Sequence, residues 1–189
     1  IGLGIPAEPL FRSASSKVQS VLVEVGAQND SATVRLEGDD MTGVWKGTKV
    51  LQSDDEEYEF YVIAEDGSTS NGPYTIKIKR LDGNTDINTI SVAYLKNGTT
   101  TTVTPTKLGD GSYYIKIRRP SEERVTLSIT AKKATTKINV LGTEELGSLV
   151  GYLNLTGDIT NAPIIMTAAD VTTYETKIVI EKESNDTSI

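Results

Sequence analysis

Apolar and polar residues alternate along this chain in short runs that break at Gly, Asn, Asp or Ser. The runs in the first half are VQSVLVEV (18–25), SATVRLEG (31–38), YEFYVIAED (58–66) and YTIKIKR (74–80). The second half continues with INTISVAYL (87–95), SYYIKIRR (112–119), RVTLSITAK (124–132), TKINVLG (136–142), PIIMTAAD (163–170) and YETKIVIEK (174–182). Alternation with a period of two predicts strands that bury one face. In YTIKIKR, Tyr74, Ile76 and Ile78 share one face while Thr75, Lys77 and Lys79 share the other. Only TEELGSLVGYL (143–153) suggests a helical turn, and two glycines interrupt it. Many short strands separated by regular turn signals predict an all-β chain of β-sandwiches.

The runs also repeat. VLVEV, ATVRLEG, FYVIAEDG and YTIKIKR answer to TLSIT, TKINVLG, IIMTAAD and YETKIVIEK, with Tyr74 and Tyr174 opening the last strand of each copy. A spacing near a hundred residues fits one sandwich per copy. The expected modules are 1–81 and 82–184, with 185–189 as a tail, and the boundary falls in LDGNTDIN (81–88). Module one is short at its start, because only seventeen residues precede Val18 while about forty of module two precede Val125. Either the sequence begins inside a repeat, or IGLGIPAEPLF supplies a reduced edge that lies along the sheet.

Composition narrows the chemistry. The chain carries 37% hydrophobic and 24% charged residues, as a soluble globular protein with a modest core does. A formal charge of -7 disfavours nucleic acid as a partner, since phosphate neutralisation needs clustered Lys and Arg. There is no Cys and no His, which removes Cys/His zinc sites, His-based triads, thiol nucleophiles and disulfides together. No stretch approaches the ~20 apolar residues of a membrane helix, and the opening lacks the features of a signal peptide. Membrane insertion is not expected in this segment, and any export signal or anchor is expected outside it.

No cofactor is expected, and calcium is the one candidate the sequence raises against that reading. In LDGNTDIN, Asp82, Asn84 and Asp86 fit the first three oxygen positions of an EF-hand loop, with Glu65 and Asp66 as further contributors. However, Ile87 stands where the loop needs Gly and Ala93 where it needs Glu. The competing reading is a metal-free joint whose polar side chains bond their own backbone while Ile87 and Ile90 enter the core of module two. The acidic run SDDEEYE (53–59) reads as a solvated loop, since adjacent carboxylates in one loop rarely flank a substrate at the separation glycoside cleavage needs. No catalytic residue is assigned. Trp45, with Tyr58 or Tyr61, is the candidate platform for stacking on sugar rings, against a reading of Trp45 as packing. The Thr-rich KNGTTTTVTPTK (96–107) reads as a hairpin turning at Asn97-Gly98, against a glycosylated or adhesive loop. A Lys to Asn isopeptide bond is a further possibility on which the sequence is silent.

The stretch FYVIAEDGSTSNGPYTIKIKR followed by NTDINTISV resembles the end of one bacterial cadherin-like β-sandwich repeat and the start of the next. The second copy departs from the pattern, with Ala169 and Val171 where the first has Glu65 and Gly67. The resemblance implies tandem Ig-like or cadherin-like modules on a secreted or surface-attached bacterial protein. It further implies a non-catalytic spacer whose partners are flanking modules of the same polypeptide. The alternative is an adhesion module that binds a carbohydrate or a cell-wall or host protein.

Overall fold

The computed structural model describes residues 10–183 except Thr69 and Arg119. Residues 1–9 and the 185–189 tail lie outside the described residues, as does most of the expected edge IGLGIPAEPLF. Among the described residues there are seventeen strands and no helix. The chain divides into two compact units, Ile1–Asp82 and Gly83–Ile189.

In the first unit the strands are β1 (Leu10–Ala14), β2 (Ser20–Gly26), β3 (Thr33–Leu36), β4 (Asp39–Thr42), β5 (Val44–Val50), β6 (Asp55–Ile63) and β7 (Ser70–Arg80). One sheet has the order β1-β7-β6-β3-β4, and the facing sheet pairs β2 with β5. β1 runs parallel to β7, with Leu10 opposite Ile76 and Ala14 opposite Arg80. The alternating apolar residues meet between the sheets: Val34, Leu36, Tyr58, Phe60, Val62, Ile76 and Ile78 face Val23, Val25 and Trp45. Each such aliphatic side chain contributes about 1.5–3 kcal/mol on burial.

The second unit contains β8 (Ile87–Lys96), β9 (Thr99–Val103), β10 (Thr106–Lys107), β11 (Tyr113–Arg118), β12 (Arg124–Ala131), β13 (Lys137–Val140), β14 (Thr143–Leu146), β15 (Ser148–Asn154), β16 (Ile159–Thr167) and β17 (Thr173–Glu183). Its sheets are β10-β11-β17-β16-β13-β14 and β15-β12-β8-β9. Val92, Leu127, Ile129, Ile138, Ile164, Met166, Ile178 and Ile180 fill the space between them. Ile90 is buried in this core and Ile87 packs against it. β8 and β9 form the expected hairpin: Lys96 lies opposite Thr99, and both Asn97 and Gly98 take the positive φ of a type I′ turn.

Pairing registers show the two units to be copies. Val23 opposite Gly47 becomes Leu127 opposite Gly151, and Val34 opposite Val62 becomes Ile138 opposite Met166, each 104 positions later. The tyrosine pairing does not survive this registration. Tyr74 lies opposite Phe60, whereas the residue opposite the counterpart Ile164 is Thr176, and Tyr174 lies opposite Met166. The span from Phe60 to Tyr74 is two residues longer than that from Ile164 to Thr176, and the register shift in β6 between Phe60 and Val62 absorbs one of them.

Two local expectations fail. TEELGSLVGYL is no helical turn but two strands, β14 and β15, joined at Gly147 with φ 74°. Its period is two, since Leu149 and Leu153 are buried while Val150 and Tyr152 are exposed. The acidic run 53–59 is not a loop throughout, because β6 begins at Asp55. Asp55, Glu57 and Glu59 point to solvent, and Tyr58 points to the core. The half-buried Glu56 turns back to accept hydrogen bonds from the N–H groups of Gln52 and Ser53, both at 2.7 Å.

Candidate functional site

The residues singled out as a sugar platform are placed inside the first unit. Trp45 is 3% exposed and Tyr58 is 6% exposed, so neither offers a ring face to a ligand. Tyr61 is half-buried and alternates out of phase with Tyr58 on β6, so the three rings do not share one surface. The reason is local. Alternation along VWKGTKV carries Trp45 inward, and the missing side chain of Gly47 leaves room for the indole. Lys49 stands over the indole with its ammonium 4.9 Å from the ring centroid, and it also pairs with Glu37. Burial pushes the Tyr58 phenol up from its ordinary pKa. Among the described residues the buried Nε1 of Trp45 has no hydrogen-bond acceptor. Among the described residues the aromatic side chain that is exposed is Tyr152, at 71%, with the Arg124 guanidinium 4.4 Å from its ring centroid. The sequence pattern hides it, because YL in SLVGYLN reads as part of a helical turn.

The candidate calcium residues are occupied locally. Asp82 belongs to the first unit, and Asn84 and Asp86 belong to the second. Asn84 Oδ1 accepts the Asp86 N–H at 2.9 Å, and its amide donates to Asp86 Oδ2 at 3.2 Å. The Asn84 carbonyl accepts the Thr136 hydroxyl at 2.8 Å, and the Asp86 carbonyl accepts the Lys132 N–H at 2.9 Å. The Lys132 ammonium lies 3.6 Å from the Asp86 carboxylate. These bonds tie the start of β8 to the turn after β12. Asp66 accepts from the hydroxyl and then the N–H of Ser68, which hold its carboxyl below the usual aspartate pKa. Among the described residues, no group of three or more Asp, Glu, His or Cys is arranged to hold a metal ion.

The most distinctive surface feature is one edge of β2. In the second unit the counterpart strand β12 is paired on both sides, with β15 and with β8. In the first unit β2 pairs with β5, and among the described residues no strand takes its other side. A groove of about 410 Å³ opens there, floored by Val21, Val23, Ile76 and Ile78, with Ala14 of β1 along one wall and Leu22 at the rim. Burial records the gap. Leu127, Ile178 and Ile180 beneath β8 are 1%, 0% and 0% exposed, whereas their counterparts Val23, Ile76 and Ile78 are 6%, 6% and 5% exposed. Leu22 is 62% exposed.

These topologies define a class. In the first unit β1 lies parallel on the last strand, β7, followed by β6 and the β3–β4 hairpin, and faces β2 and β5; in the second unit β11 lies parallel on β17, followed by β16 and the β13–β14 hairpin, and faces β15, β12, β8 and β9, an Ig-like β-sandwich arrangement in each. No family model matches the chain, and no curated protein matches it. Among solved structures it is similar to the I9-I11 tandem of titin, at 12% identity and a TM-score of 0.24 over 93% of this chain and 98% of that one. It is also similar to SGBP-B of the Bacteroides ovatus mixed-linkage glucan utilization locus, solved with a mixed-linkage heptasaccharide, at 10% identity and a TM-score of 0.21 over 93% and 67% of the two chains. Likenesses at this level carry no argument about activity or ligand.

Proposed function

We propose that this chain is a non-catalytic pair of cadherin-like β-sandwich modules that serves as a spacer in a bacterial secreted or cell-surface protein. The observation that supports it is the duplication itself: two units repeat one strand order, and each closes its own apolar core. A chain that repeats a self-sufficient sandwich gains length with each copy, without needing a reactive centre. Its partners are then the neighbouring modules of the same polypeptide, and its place is extracellular.

Single-molecule extension tests this reading. The two units should unfold in two separate events, the second unit releasing the longer stretch, each at no more than about 3.3–3.6 Å per unfolded residue. One event releasing the sum would overturn the two-module spacer. Hydrolysis of a polysaccharide or peptide that a single carboxylate substitution abolishes would overturn the non-catalytic part.

A further inference from the structure

We propose that the second unit binds a small uncharged aromatic molecule, of one or two fused rings, in a cavity over Gly151 where the first unit packs its own indole. The inference goes beyond the spacer reading and holds whether or not that reading does.

The cavity measures about 180 Å³ and lies between β15 and the β13–β14 turn. The buried side chains of Leu127, Val140, Leu149 and Leu153 line it together with Gly151. Leu141 and Tyr152 complete the wall at the surface, 60% and 71% exposed. Thr143 adds a hydroxyl, and among the described residues that line the cavity none is charged. An apolar cavity of about 150 Å³ takes up benzene, so this space has room for a ring of that size.

The first unit shows what the space accepts. With counterparts 104 positions apart, Trp45 stands where Leu149 does and Gly47 where Gly151 does. The indole folds over Gly47 so closely that a methyl group there would collide with it. On Gly151 the nearest contact of such a methyl would be Leu149 Cδ2, at 3.6 Å. One unit therefore fills with two fused rings a space that the other keeps as a cavity.

The cover differs in the same sense. In the first unit the Lys49 ammonium stands over the indole, 4.9 Å from its centroid, and pairs with Glu37. Their counterparts are Leu153 and Leu141, and Asp39 is likewise replaced by Thr143. An ion-paired cover seals a ring that belongs to the chain, whereas leucines at the same places offer apolar surface to a ring that arrives from solution. Water now reaches Leu141 and Tyr152, and a bound ring would displace it from both, which supplies the affinity. Contact with the Tyr152 ring favours an aromatic ligand over a saturated one of equal size.

The test titrates the full chain with indole, phenol and cyclohexanol and follows the methyl NMR signals. Indole should shift the methyl resonances of Leu127, Val140, Leu141, Leu149 and Leu153 saturably, while those of Val23 and Leu36, counterparts in the first unit, stay in place. Cyclohexanol should bind about two- to tenfold more weakly than phenol. Leu149→Trp, which gives the second unit the ring the first already holds, should lower indole affinity at least about tenfold. Leu141→Glu puts the charge of Glu37 at an exposed turn position without touching the core, and should lower it at least about threefold. The proposal is overturned by absence of saturable shifts, by equal shifts in both units, or by cyclohexanol binding as tightly as phenol. Unchanged affinity in Leu141→Glu, or in a Leu149→Trp chain whose methyl spectrum shows it folded, would overturn it as well.

Discussion

A methyl group placed on Gly47 would lie 2.5 Å from Cη2 of Trp45 and 2.9 Å from its Cζ2. The two residues stand two positions apart on β5, on the same face, so the indole folds over the space that a side chain at Gly47 would need. The counterpart in the second unit is Gly151, where an added methyl would meet Leu149 Cδ2 at an ordinary 3.6 Å. Gly47→Ala should therefore cost about 1–3 kcal/mol by overpacking. Gly151→Ala should be neutral or slightly stabilising, by restricting the unfolded chain. Calorimetry on the two variants checks the contrast, and equal effects would contradict it.

Val171 holds a φ of 62° and is 80% exposed, at the position where the first unit has Gly67 with φ 70°. A β-branched residue is strained in that region, by about 1–2 kcal/mol. Glycine there would release the strain and cost back about 0.5–1 kcal/mol in unfolded-state entropy. Val171→Gly is expected to stabilise the chain by up to about 1 kcal/mol, as read from the midpoint of urea unfolding. Leu141, with φ 51° and followed by Gly142 in the β13–β14 turn, should respond in the same direction to Leu141→Asn, which creates an Asn-Gly turn.

The two positive-φ residues also explain what the sequence reveals and what it hides. Strands with one buried face are legible wherever alternation is unbroken, as in β7, β8, β12 and β17. Alternation is a weak guide at β5 and β15, because Gly47 and Gly151 interrupt the apolar series and a lone Trp45 between glycines leaves packing and a surface platform both open. The turn after β16 is harder still, since Val171 carries none of the signals of a tight turn. That β12 is paired on both sides while, among the described residues, β2 is paired on one follows only from the pairing of β12 with β8, which no one-dimensional pattern displays.

Glu56 gives the first unit a pH response. The Ser53 N–H, followed by the Gln52 N–H and the Ser53 hydroxyl, holds its carboxyl below the usual glutamate pKa, with help from the charge of Arg80. A depressed carboxyl contributes stability above its unfolded pKa of about 4.3, and that contribution is lost as pH falls through the lower folded value. The second unit does this job with Thr160, whose hydroxyl accepts the Thr156 N–H at 2.9 Å and carries no charge. The chain has one Trp, in the first unit, so its fluorescence reports on that unit. Glu56→Gln should lower the Trp45-detected melting temperature at neutral pH and converge with the parent at acid pH. A constant difference at every pH would show that the carboxylate charge plays no part.

The bonds around Asn84 yield a prediction about both stability and calcium. Its side chain accepts the Asp86 N–H and donates to the Asp86 carboxylate, while its carbonyl takes the Thr136 hydroxyl. Asp86 in turn faces the Lys132 ammonium. A carboxylate already turned toward an amide donor and a cation gives little net attraction to a divalent ion, which needs six to eight oxygen ligands. We expect the resonances of Asn84 and Asp86 to stay unchanged on adding millimolar calcium, and melting to be the same in calcium and in chelator. Asn84→Ala, by contrast, should destabilise the second unit by about 0.5–1.5 kcal/mol through loss of the side-chain bond to the Asp86 N–H. The backbone acceptor for Thr136 survives that change, so Thr136→Val should add a separate loss. Calcium-dependent shifts at Asp86 that Asn84→Ala abolishes would reverse the assignment and make this stretch a metal ligand after all.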